Sequence, residues 1–228
     1  MRCVFLTPID HRGIQGKLFH QWLRLQQWCD ANDSAILSVD GMFLNFARNH
    51  LASGGGGFAE PTPPEAEWLF WIDSDIQFTI RQVEDLLNID PEKKFVTGWY
   101  RASDNDFAMV GDWNEDYFRR HHHMPFLSAK GLTKLANTDP NKVLPVDWCG
   151  FGFTKVHRSV YEQMDYPYFT LNSFDIGETS YRHKHGEFSA KDLIFEDISF
   201  CQNCYKATGI RPQVVPRIKV NHLKSSPV

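Results

Sequence analysis

The clearest hydrophobic pattern in the chain is Trp68 to Ile72, five apolar residues in succession, followed at once by Asp73-Ser74-Asp75. Such a run predicts a strand buried on both faces, the kind found in largely parallel sheets. Shorter apolar runs at 3–6, 35–39, 95–100 and 214–220 predict further strands, with another at 107–110. Leu18, Trp22, Leu25 and Trp28 recur at helical spacing and predict a helix over 17–31, with a second over 42–52. Thr79 is a suitable N-cap for a helix running to Leu87. A short helix is expected over 157–164, and a long one over 192–206 closed by Gly209. Residues 53–64, with four glycines and three prolines, read as a mobile surface loop. No pattern can be assigned over 112–142, which includes His121-His122-His123. Alternating strands and helices without repeats predict an α/β fold with a parallel sheet.

Composition narrows the class. A chain of 228 residues, 42% hydrophobic and 23% charged, is of ordinary globular type and fits one α/β domain or at most two small ones. A net charge of −4 argues against a general nucleic-acid binder, which needs clustered Lys and Arg. No apolar run is long enough for a membrane span, and the start of the chain lacks a signal-peptide pattern. Five scattered cysteines suggest reduced thiols in a cytoplasm-like compartment; Cys201 and Cys204 read as small buried thiols within a helix.

The chemistry begins where the buried strand ends. Along an extended chain, residues i and i+2 point the same way, so Asp73 and Asp75 can present two charges to one point. Two such carboxylates call for a cation or a shared proton, and hard oxygen ligands favour Mg²⁺ or Mn²⁺. An acidic turn that merely ends a strand is the competing reading. Near the other end, Glu196-Asp197 sits among Ile194, Phe195 and Ile198. Neighbours on a helix diverge by roughly 100°, which predicts that only one of these acids faces a given cleft. In Asp147-Trp148-Cys149-Gly150-Phe151-Gly152, two glycines among aromatics mark backbone that passes close to a neighbouring strand or a ligand.

The order of these features resembles the metal-dependent GT-A glycosyltransferases, especially compact enzymes of large DNA viruses and phages. The features are a strand with Thr7-Pro8, a strand ending at Asp40, Arg48-Asn49 on a helix, Asp-x-Asp, the Trp-Cys-Gly-Phe-Gly loop, Glu-Asp on a helix and a late His-x-Lys. The resemblance spans nearly the whole chain. It implies a single domain over 1–228, with a nucleotide-binding half (about 1–100) and an acceptor-binding half (about 101–228). The implied fold is a mostly parallel, Rossmann-like sheet flanked by helices, with a small antiparallel extension on the acceptor side.

The resemblance also implies roles. Asp75 would bind Mn²⁺ or Mg²⁺, Asp73 would hold the ribose or share the metal, and His222 would be a further ligand. Thr7 and Pro8 would line the nucleotide pocket, with Asp40 near the base, Arg48 near base or ribose, and Lys224 reaching a phosphate. Trp148, Gly150 and Gly152 would shape the acceptor side. Glu196 or Asp197 would address the acceptor hydroxyl, the latter as general base. The implied donor is a nucleoside-diphosphate sugar, a UDP-sugar being favoured, and the acceptor a glycan or small hydroxyl compound. The expected location is the cytoplasm, that of the host if the protein is viral.

Three other classes remain open. A sugar-nucleotide nucleotidyltransferase would carry a Gly-rich basic signature after the first strand, where this chain has Thr7-Pro8-Ile9-Asp10-His11-Arg12. A non-catalytic carbohydrate-binding module could retain the fold without turnover. A metal-dependent phosphohydrolase would need more His and Asp ligands for a two-metal site.

Overall fold

A computed structural model of the chain describes residues 2–9, 13–55, 61–101, 105–175 and 191–223. Lys224 and part of the glycine- and proline-rich loop, residues 56–60, lie outside these. The first half contributes β1 (Cys3–Ile9), α1 (Phe19–Ala31), β2 (Ser34–Asp40), α2 (Leu44–Ala52) and β3 (Trp68–Ile72). β4 (Ile76–Gln77), α3 (Ile80–Leu87) and β5 (Phe95–Trp99) follow. The second half holds β6 (Phe107–Gly111), α4 (Glu115–His121), β7 (Phe126–Ser128), α5 (Ala129–Thr138), β8 (Leu144–Pro145) and β9 (Trp148–Cys149). It ends with β10 (Phe153–His157), α6 (Arg158–Tyr161), β11 (Ser173–Asp175), β12 (Lys191–Leu193), α7 (Glu196–Thr208), β13 (Gln213–Lys219) and β14 (Asn221–His222).

The central sheet has seven strands in the order β2-β1-β3-β10-β5-β13-β8. β1 pairs in parallel with β2 and β3, and β5 with β13; β10, between β3 and β5, and β8 at the edge run against the rest. The sheet is therefore mostly parallel, as its buried apolar strands predict. β3 shows why its run has no polar break. Leu69 and Trp71 pack into one core, Trp68, Phe70 and Ile72 into the other, so both faces of the sheet are covered. α1 and α3 cover the face around Phe5 and Phe70. α2, α5, α6 and α7 cover the face around Trp71 and Phe151.

Several local expectations hold. Thr79 caps α3 with a full capping box, its hydroxyl accepting from Gln82 N while the Gln82 side chain accepts from Thr79 N. Gly209 closes α7 in the left-handed region, φ 71°. Cys201 and Cys204 are buried inside that helix as free thiols.

Other boundaries differ. α7 starts at Glu196 rather than 192, because Lys191–Leu193 pairs antiparallel with Ser173–Asp175 and holds the chain extended up to Phe195. α6 is four residues long, since β10 continues to His157, whose ring caps the helix by accepting from Ser159 N. The stretch without pattern folds into α4, β7 and α5. Its helices start at capping side chains, Asn114 and Ser128, and α5 buries only Ala129 and Leu132.

Two small additions bear on the site. β9, β6 and β7 form a three-stranded antiparallel sheet beside the central one, which is the expected extension. β14 pairs antiparallel with β4, setting His222 opposite Ile76, and Leu223 N donates to Asp75 O at 2.9 Å. Residues 221–223 are thus clipped onto the turn that carries Asp73 and Asp75.

Candidate active site

Two cavities meet where β3 ends. The first, about 570 Å³, is lined by Pro8 and Ile9, by Gly41 to Leu44, and by Asp73, Ser74, Asp75 and His222. The second, about 440 Å³, is lined among others by Arg48, Tyr100, Trp148, Glu196 and Asp197. Leu44, Asp73 and His222 belong to both. This is the crevice beyond the carboxyl ends of parallel strands, where α/β sheets bind ligands.

The turn after β3 is pinned on two sides. Asp73 N donates to Gly152 O at 3.2 Å, and Ile76 N donates to Asp73 O at 3.0 Å. The two carboxylates consequently have different partners. Asp75 lies 3.0 Å from His222 Nε2. Asp73 is held by Arg48, whose Nη2 sits 3.0 and 3.1 Å from its two carboxylate oxygens. Arg48 Nε also lies 3.3 Å from Glu196, so one guanidinium bridges the acids of β3 and α7.

Arg48 is 2% exposed, with Trp71, Phe151 and Phe169 rings 5.5 to 5.9 Å from its guanidinium carbon. Burial alone would lower its pKa, but Asp73 and Glu196 more than reverse that and keep it a cation. Burial pushes the Asp73 carboxyl upward, Arg48 partly restrains it, and Asp75 raises it further. Asp197 is pushed up to about 7, by burial first and by Glu196 second. Its own Ile198 N–H donates to it at 2.8 Å. A carboxyl poised there can exchange a proton near neutrality.

Both acids of α7 border the second cavity, contrary to the expectation that only one would. The cavity meets this helix end-on, at its first turn, whereas the divergence of neighbouring residues matters for a cleft along a helix side. Arg48 is not a surface residue; it is buried between two carboxylates and lines the second cavity. Pro8 lines the first cavity, but Thr7 lies one residue deeper, buried, with its hydroxyl unpartnered among the described residues. Asp40 is exposed at the end of β2, opposite Ile9, and Gly41 and Met42 line the cavity in its place.

Trp148 lines the second cavity, whereas Gly150 and Gly152 are not among its lining residues. Those glycines make room for a side chain: a Cβ on Gly152 would lie 2.7 Å from the Tyr100 ring, and one on Gly150 would collide with its hydroxyl. Tyr100 in turn lines the cavity, donates no charge at neutral pH because burial and then Asp73 raise its pKa, and packs 5.5 Å from the His222 ring. Sequence reading missed it, although the glycine pair already demanded a close neighbour. His122, His123, Met109 and Phe126 also line this cavity and carried no usable signal.

No three His, Cys, Asp or Glu side chains among the described residues converge as a metal-ligand set. With Asp73 turned to Arg48, the pair available is Asp75 and His222. A carboxylate and an imidazole at the wall of an open cavity suit Mn²⁺ or Mg²⁺ if substrate phosphates and water complete the shell.

No protein-family model matches the sequence, and no curated protein shows significant similarity to it. Solved structures do. One is A197 from STIV, with a TM-score of 0.54 and 16% identity over 99% of this chain and 87% of that one. Another is GalNAc-T7, solved with UDP, GalNAc and Mn²⁺, with a TM-score of 0.51 and 9% identity. That match covers 98% of this chain but 44% of that protein, so this chain spans less than half its length. A third, a glycosyltransferase involved in glycosylation of the PBCV-1 major capsid, has a TM-score of 0.35, too low to define a shared fold. The architecture is of the GT-A type: a mostly parallel sheet flanked by helices, with small antiparallel sheets beside it. No helix among the described residues is long and apolar enough to cross a membrane.

Proposed function

We propose that this chain is a metal-dependent glycosyltransferase that moves a sugar from a nucleoside-diphosphate sugar, a UDP-sugar by preference, to a hydroxyl acceptor. The observation that carries the reading is the pair of cavities meeting at Asp73 and His222, one bordered by Asp75, the other by Glu196 and Asp197. The solved relative of this fold that holds UDP, GalNAc and Mn²⁺ adds support for the donor class. The first cavity takes the nucleotide, with Pro8, Gly41 and Met42 against the base and ribose. The diphosphate lies toward Asp75 and His222, which would hold the metal. Bound there, a divalent cation would offset the negative charge that develops on the departing diphosphate.

The chain's own groups supply the rest. Asp197 accepts the proton of the acceptor hydroxyl as that oxygen bonds to the anomeric carbon and the bond to the diphosphate breaks. Asp73 and Glu196 favour positive charge developing on the sugar ring. Arg48 prevents their mutual repulsion from opening the site. Tyr100 and Trp148 bound the acceptor cavity and exclude water.

The test is calorimetric titration of UDP into metal-free protein, with and without Mn²⁺, for wild type, Asp75→Ala and Asp197→Asn. Mn²⁺-dependent binding that is lost in Asp75→Ala and kept in Asp197→Asn supports the donor site. If neither UDP nor GDP binds with metal present, the reading fails. Binding without donor hydrolysis or transfer would instead mark a non-catalytic nucleotide-sugar module.

A further inference from the structure

On the other side of the β4–β14 pair lies a cavity of about 860 Å³ that the proposed reaction does not use. Asn221 and Gln77, partners in that pair, line it, whereas the next residue, His222, lines the candidate active site. Its charged lining is entirely basic: Lys17, Arg24, Arg81 and Lys219. Lys17, His20, Gln21 and Arg24 follow the i, i+3, i+4, i+7 spacing of one helical face, and all four line the cavity. The N-terminal turn of α3 also opens on it, with no acidic residue in that turn, so the helix dipole adds to the positive field.

Lys219 also lines a second cavity, about 480 Å³, whose other charged residues are Arg101, Lys130 and Lys134. On α5 the residues Lys130, Thr133, Lys134 and Asn137 repeat the same helical spacing. Among the described residues, no Asp or Glu lines either cavity. Arg81 lies 4.0 Å from Asp85, and Asp106 takes hydrogen bonds from Ser128 and Lys130 N. A chain of net charge −4 therefore gathers seven Lys and Arg side chains into two concavities joined at Lys219.

We propose that this strip binds an anionic glycan, a carbohydrate chain bearing carboxylate or phosphate groups. The preference for an anion stands on the cavities alone; the choice of a glycan rests also on the glycosyl-transfer reading. Asn137, Asn221 and the Thr133 hydroxyl, which donates to Ala129 O and can still accept, offer groups that pair with sugar hydroxyls, whereas the Gln21 and Gln82 amides are already bonded at both ends to the backbone. Among the described residues no exposed aromatic ring lines either cavity, so they give unpaired bases no stacking platform; Phe78 is buried. Of the aliphatic side chains described there, Val220 is buried and Ile80 half-buried, so neither stands out to enter a bilayer.

The experiment is a fluorescence-polarisation titration with a labelled polyuronate oligomer, a neutral dextran of equal length and a single-stranded DNA of equal charge. It uses the full chain and the variants Arg24→Glu and Lys219→Glu, both exposed positions. The expected result is polyuronate binding that falls with salt and is weakened about tenfold by either reversal. Dextran should not bind, DNA should bind more weakly, and Asp75→Ala should bind polyuronate normally. Absence of polyuronate binding, indifference to both reversals, or tighter binding of DNA would each overturn the proposal. If UDP fails to bind while polyuronate does so through the strip, the strip stands and the glycosyl-transfer reading falls.

Discussion

Replacing Arg48 by methionine tests whether one buried cation organises the site. The substitution keeps much of the apolar volume among Trp71, Phe151 and Phe169 but removes the charge between Asp73 and Glu196. Breaking a buried pair by deleting one partner costs about 3–5 kcal/mol, because the remaining charge is left uncompensated. In a chain of this length that is a fall in Tm of roughly 6–20 °C. The loss must depend on pH. Without the guanidinium, Asp73 keeps only the influences that raise its pKa, burial and Asp75, so the folded variant takes up a proton more readily than the unfolded chain. Stability of the variant should then recover as pH falls from 8 to 5, narrowing the gap to wild type. Urea unfolding at both pH values measures this, and Asp73→Asn in the Arg48→Met background should restore part of the loss. A variant within about 1 kcal/mol of wild type at pH 8, with no pH dependence, would refute the charge-bridging role.

Three further outcomes follow from the same geometry. The Asp197 carboxyl, raised from 3.8 to about 7, binds a proton in the folded chain that the unfolded chain has released, so its contribution to stability declines as pH rises from about 4 to 7. Asp197→Asn should flatten that slope in urea titrations, and in wild type transfer should rise through about pH 7 as the base ionises. Lys155 is fully buried, donates to Leu87 O and Ile89 O, and has its pKa lowered from 10.5 to about 8 by burial. The unfolded chain then binds the extra proton between those values, so Lys155 adds stability as pH rises from 8 to 10.5; the difference between wild type and Lys155→Met in urea unfolding should shift accordingly. Gly152→Ala, whose Cβ would sit 2.7 Å from the Tyr100 ring, should lose about 1–3 kcal/mol, with coupling to Tyr100→Leu in a double-mutant cycle; additive losses would show that the ring is not the obstacle.

What the sequence determined by itself is local. The apolar run Trp68 to Ile72 could only be a doubly buried strand, and the carboxylates after it could only fall at the sheet's carboxyl edge. Thr79 and Gly209 marked helix ends because caps depend on residues within one turn. Glu196-Asp197 stood out against apolar neighbours, and Gly150 and Gly152 against the aromatics around them. What only the tertiary structure decided is partnership. Arg48 and Glu196 are 148 positions apart and Asp75 and His222 147, and no periodicity encodes which side chain meets which across such distances. Tyr100 entered the site because two glycines opened space for its ring, and the basic strip arose because α1, α3, α5 and β13 converge on Lys219. Helical and strand patterns follow from dihedral geometry and nearest neighbours. The pairing of charges depends on burial and distance, and these exist only once the layers have packed.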